Sequence, residues 1–146
     1  MGPLSVVLPG TWKLIRRFDC TRSGERRDEP SLGENPLALL YYDRSGNFAA
    51  QFMKRDRSGP ISDVAASASN NSRAQGGFDA YFGTYVTDDA KKTVTQRLVG
   101  ALSKENVGLV VTRKMLVEGD TLTIELETTS AEGEEVIRTL IWSRVS

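Results

Sequence analysis

The strongest constraint on the fold is rhythm: short runs of alternating apolar and polar residues, each stopped by residues that turn the chain back. Eight runs read this way, at about 10–19, 37–43, 47–55, 79–88, 92–101, 108–118, 121–129 and 135–145. Period-two alternation broken at short intervals by turn chemistry predicts an all-β sandwich or barrel. The connections favour hairpins. "DRSG" (43–46) places Gly46 for the left-handed position of a bulged turn, and "EGDT" (118–121) leaves a two-residue Gly119-Asp120 loop. "DDAKK" (88–92) and "SAEGE" (130–134) do the same for their flanking strands. Consecutive strands joined this tightly make an antiparallel up-and-down meander of eight strands. One stretch breaks the rhythm: residues 57–77, rich in serine, alanine and asparagine, read as a connector with a short helix capped by Ser62, or as a lid over a barrel mouth. The other long connection, 21–36, is polar, and its "GERRDEP" charges read as solvated surface at the rim.

The 118–121 turn fixes a register. Glu118 opposes Thr121, so Val117 opposes Leu122, Leu116 Thr123, Met115 Ile124, Lys114 Glu125 and Arg113 Leu126. One face then collects Leu109, Val111, Met115, Val117, Leu122, Ile124 and Leu126, and the other carries Lys114 against Glu125. The apolar face is the interior, and Arg113 falls on it. An arginine among apolar residues must be paired, hydrogen-bonded or wet. It is either held by a structural carboxylate or anchors a ligand carboxylate, which a guanidinium fits geometrically. Alternation likewise groups Trp12, Leu14 and Phe18, and puts Tyr81, Gly83 and Tyr85 together. With a bulged 43–46 turn, Leu40 and Tyr42 oppose Phe48 and Ala50, leaving Tyr41, Ala49 and Gln51 on the reverse side. Gly83 leaves space for a close neighbour.

At 146 residues the chain suits one domain, residues 1–146, large enough to bury a core without staples. Its 19 basic and 19 acidic residues cancel, so total charge favours neither nucleic acid nor an anionic membrane. The single cysteine, Cys20, has no internal partner and reads as a quiet, half-buried thiol of a reducing compartment. "MGPLSVVL" lacks a basic region, is too short for a signal peptide or span, and has Val6 where myristoylation needs serine or threonine, so the expectation is a soluble, cytoplasmic protein. There is no histidine at all. That removes the commonest general base and metal ligand, so no metal or other cofactor is expected and a serine–histidine–aspartate relay is excluded.

The succession "GTWKL", "YDRSGNFAAQFM", "DAYFGTYVTDD", "VGLVVTRKMLVEGDTLTI" and "LIWSRV", spanning nearly the whole chain, resembles the bacterial and fungal lipocalin-like domain family. The resemblance implies a calycin-type barrel around a central cavity. It implies too that Trp12 packs near the barrel floor under Arg144 of the last strand, closing the barrel, and that Gln51, Met53, Tyr81, Tyr85 and Arg113 are family motif positions. Where the family pattern commonly has a histidine, near "TVTQRL", this chain has Gln96 and Arg97, so chemistry relying on that histidine is not expected here.

Together these readings give a binder of a small apolar or amphipathic molecule with an acidic or polar end, without nucleic-acid or membrane partners. Arg113, Tyr42, Tyr81, Tyr85, Gln51, Met53, Gln96 and Met115 are its candidate ligand-binding residues. The alternatives are a cofactor-free isomerase or cyclase, with Tyr81 or Tyr85 as proton donor and Arg113 stabilising charge, and a packed module without a cavity.

Overall fold

A computed structural model describes residues 2–58, 74–130 and 132–146. After a one-turn helix α1 (Leu4–Val7), strands β1 (Gly10–Cys20), β2 (Arg26–Arg27), β3 (Leu37–Tyr42), β4 (Asn47–Met53), β5 (Phe78–Asp88), β6 (Thr93–Ala101), β7 (Val110–Glu118), β8 (Thr121–Thr129) and β9 (Glu135–Arg144) follow in order. Each pairs antiparallel with its neighbour from β3 to β9, β1 pairs with β3, and β1 also pairs with β9, so eight strands close on themselves. The two-residue β2 adds to the end of β1 outside that ring. The fold is the expected all-β, eight-stranded up-and-down barrel, which leaves no open edge in the ring. The helix or lid expected within 57–77 falls largely outside the described residues. Among those described, no helix is long and apolar enough to cross a membrane.

The hairpins behave as the turn residues dictate. Gly46 and Gly119 take positive φ of 90° and 60°, a region that glycine enters without penalty. The Asp43 carboxylate accepts the Ser45 and Asn47 backbone N–H groups at 2.9 and 2.8 Å and stiffens the 43–46 turn. Lys114 opposes Glu125 and Met115 opposes Ile124, as the Gly119-Asp120 loop requires. Tyr42 opposes Phe48 and Leu40 opposes Ala50, the bulged alternative.

One end of the barrel is plugged. Leu8, following α1, is fully buried, and Trp12 beneath it donates its indole N–H to the Leu8 carbonyl at 3.0 Å. Trp12 is paired with Arg144 across the β1–β9 seam, and the guanidinium lies 4.2 Å from the ring centroid. Arg144 also donates to the Val7 and Pro9 carbonyls, stitching α1 to the last strand.

Two bulges re-aim side chains. In β1 the register slips between Leu14, opposite Trp142, and Arg16, opposite Ile141, leaving Ile15 unpaired and half-exposed. An extra residue reverses the alternation beyond it. Phe18 therefore does not continue the face of Trp12 and Leu14. It lies outside between the Arg16 and Arg26 guanidiniums, each 4.7 Å from its ring, while Arg17 and Asp19 turn inward and are buried. The second bulge, between Phe82 and Gly83, brings the β6 backbone onto Gly83.

Candidate functional site

The barrel interior beyond the Trp12 plug holds a cavity of about 70 Å³. Its apolar wall comes from alternate, inward-facing positions of the strands: Leu40 of β3, Phe52 of β4, Met115 of β7, Ile124 and Leu126 of β8, and Leu140 and Trp142 of β9. Its polar groups are Tyr42, Tyr81, Gln96 and Arg113, joined by Arg17, Arg138, Asp79, Glu29 and Ser31 toward the open end. A larger crevice of about 260 Å³ lies on the outer face over β4, β5 and β6. It is open, and of its side chains only Gln51 and Tyr81 carry polar atoms. The interior chamber, with convergent polar groups on apolar walls, has the character of a ligand site.

Five of the residues singled out from sequence meet there. Arg113 is 8% exposed, opposite Val94, on the inner face shared with Met115. Burial pushes its guanidinium down to about 10, with the Tyr81 and Tyr42 phenols opposing that shift and Arg138 adding to it. It remains cationic at neutral pH. Tyr42 is fully enclosed, accepts an N–H from Gln96, and has its hydroxyl 3.9 Å from the Met115 sulfur. Burial first, then its neighbour Tyr81, raises the Tyr42 phenol well above its ordinary value, so it is a neutral hydrogen-bond donor. A thioether is a weak acceptor, which leaves that O–H poorly used. Trp142 adds a second donor: its indole N–H is buried with no acceptor among the described residues.

The other three do not line the cavity. Gln51 and Met53 alternate with the inward-facing Phe48, Ala50 and Phe52 on β4, so both take the outer face. Gln51 stands on the reverse side that the bulged 43–46 turn predicts for it, away from the ligand-binding role expected of it. Tyr85 packs edge-on behind Tyr42 at 4.9 Å between centroids and donates its hydroxyl to the Asp43 carbonyl, buttressing the 43–46 turn.

Sequence reasoning missed the ionic half of the chamber. Arg138 pairs bidentately with Asp19 at 2.7 and 2.9 Å, and Arg17 with Glu29 at 2.7 Å. These four side chains are 0–10% exposed. Glu29 belongs to the 21–36 connection, so one charge of "GERRDEP" is a buried latch rather than solvated surface. Burial alone would raise its carboxyl. Arg17, the Ser31 hydroxyl and Arg138 outweigh that and hold it at about 2. Arg138 was open to the reasoning applied to Arg113, since Val136, Leu140 and Trp142 share its face. Arg17 and Asp19 were hidden by the bulge. Cys20 is half-buried, and among the described residues no cluster of histidine, cysteine, aspartate or glutamate could hold a metal ion.

A closed eight-stranded meander with a plugged floor and a chambered interior defines a calycin-type barrel. The model of the lipocalin-like domain family matches residues 9–145, and the chain belongs to that family. No curated protein matches it.

Proposed function

We propose that the chamber binds a small hydrophobic or amphipathic molecule through an anionic or otherwise acceptor-rich group. Arg113 carries this reading: a buried cation in the chamber, on a β7 face it shares with Val111, Met115 and Val117. Two donors of the same chamber agree, since the Tyr42 hydroxyl and the Trp142 N–H both suit an oxygen acceptor. The membership in a lipocalin-like family supports small-molecule binding in general. The isomerase or cyclase alternative keeps Tyr81 as its donor and loses Tyr85, whose hydroxyl is committed to Asp43.

Native mass spectrometry of the purified protein, followed by solvent extraction, identifies what is bound. Titration calorimetry of that molecule against wild type and Arg113→Met then tests the anchor. Removing a charge-assisted hydrogen bond of about 1.5–3 kcal/mol lowers affinity for the acid roughly ten- to over a hundredfold. The neutral methyl ester binds wild type weakly and loses little more on mutation. Equal losses for acid and ester would reduce Arg113 to packing, and unchanged affinity for the acid would remove it from the site.

A further inference from the structure

We infer that Glu29 is a built-in occupant of a second anion position in the chamber, and that an acidic ligand enters by displacing it from Arg17. The inference rests on the binding reading above and adds how the chamber opens. The chamber's volume in this conformation is about 70 Å³, whereas pockets for drug-sized ligands measure about 300–1,000 Å³. Some part of the wall must therefore move for a ligand of that size. Most of the described wall is barrel strand, locked by hydrogen bonds on both sides. Glu29, Ser31 and Leu32, like Ala74, line the chamber from outside the strand ladder, and the three belong to the connection between β2 and β3.

Glu29 is this strap's buried ionic tie to the barrel, alongside the Arg17 N–H to Glu34 carbonyl bond at 3.0 Å and the buried Leu32 side chain. Glu29 accepts Arg17 Nη1 at 2.7 Å, the Ser31 N–H at 3.0 Å and hydroxyl at 2.6 Å, and the Leu32 N–H at 3.2 Å. Arg17 Nη1 also donates to the Gly33 carbonyl at 3.1 Å. The remaining side-chain ties are surface contacts from Lys54 to Pro30 and from Arg55 to Asn35, together with the exposed Arg26–Glu34 pair. Such exposed contacts contribute little. Arg138 acts electrostatically on both Arg17 and Arg113, so the cationic side of the chamber runs from Arg113 to the guanidinium that Glu29 covers. Glu29 presents to Arg17 the same group that a carboxylic acid would, through a single Nη1–Oε1 contact. Occupation of Arg17 by the acid and closure of the strap by Glu29 exclude one another, so each must weaken the other by the same factor.

Octanoate and octanol serve as probes, matched in chain and differing in the carboxylate. Hydrogen exchange read by mass spectrometry on wild type is expected to show faster exchange of residues 28–35 with saturating octanoate and no change with octanol. Calorimetry is expected to show Glu29→Gln binding octanoate about tenfold tighter, since the closed competitor state is depleted, with octanol shifting less than about twofold. Protection of 28–35 by octanoate, or an unchanged octanoate affinity in Glu29→Gln while Arg113→Met still weakens it, would make Glu29 a plain structural contact and leave the binding reading standing. Absence of binding of either probe to every variant would overturn both. If Glu29→Gln does not fold, the wild-type exchange result alone decides.

Discussion

Trp12 joins three jobs in one side chain: it fills the barrel floor, donates to the Leu8 carbonyl and carries the Arg144 guanidinium on its face. Trp12→Ala is expected to cost about 3–5 kcal/mol, read as a lower denaturant midpoint, because a large cavity opens where nothing can collapse into it. Arg144→Ala is expected to cost less, since its stacking is a partly exposed contact of about 0.5–2 kcal/mol. Glu29 makes a different prediction. Its folded carboxyl is held at about 2 against 4.5 when free, so the stability it contributes is complete above about 4.5 and disappears as pH falls toward 2. Urea midpoints of wild type and Glu29→Gln should therefore converge through that window. A gap that stays constant to pH 2 would show that the ion pair adds nothing.

At the scale of strands, register and bulges decide which side chains reach the chamber. Lys114 and Glu125 oppose one another on the exposed outer face. A double-mutant cycle reversing both charges is expected to give a coupling of about 0.2–1 kcal/mol in low salt. Gly83 is a harder constraint: a Cβ there would lie 1.8 Å from the Arg97 carbonyl oxygen and 2.8 Å from the Val99 nitrogen. Neither backbone atom can swing aside, so Gly83→Ala is expected to cost on the order of 3 kcal/mol or more, or to abolish folding. A midpoint within error of wild type would mean that β5 and β6 pair without that bulge. These two cases also mark what a reader of the sequence can reach. The eight strands, the 43–46 and 118–121 turns and the inward placement of Arg113 follow from local chemistry, because turn residues and period-two alternation are written within a few positions of each other. The extra residue at Ile15 is set by pairing with β9 at the far end of the chain, and no local signal announces it, whereas Gly83 marks the close approach that the extra residue Val99 makes in the neighbouring strand. The ionic pairs beyond Ile15 were therefore invisible, as was the folding of Glu29 back onto Arg17.

For the molecule as a whole, closure joins the ends of the chain, with β1 pairing against β9. Contacts this distant in sequence must be made late and at an entropic cost, so refolding is expected in milliseconds to seconds or slower. Trp12 and Trp142 both lie buried at that seam. Their stopped-flow fluorescence should lag behind the far-ultraviolet circular dichroism that reports strand formation. Coincident traces would show that the seam forms with the hairpins. The bulge at Ile15 has a consequence of another kind, one of parity. Whether a position past it counts as odd or even decides whether it sees water or the chamber, and one residue sets the count for the rest of β1. Deleting Ile15 would keep Arg17 and Asp19 inside, because Arg16 already follows Leu14 in the register, whereas pairing Ile15 into the ladder would turn Arg16 and Phe18 inward in their place. The latch on Glu29 and the partner of Arg138 would vanish in a single step. A stretch of charge code in this barrel is thus read in a frame, and the character of its upper chamber hangs on one residue standing outside the ladder.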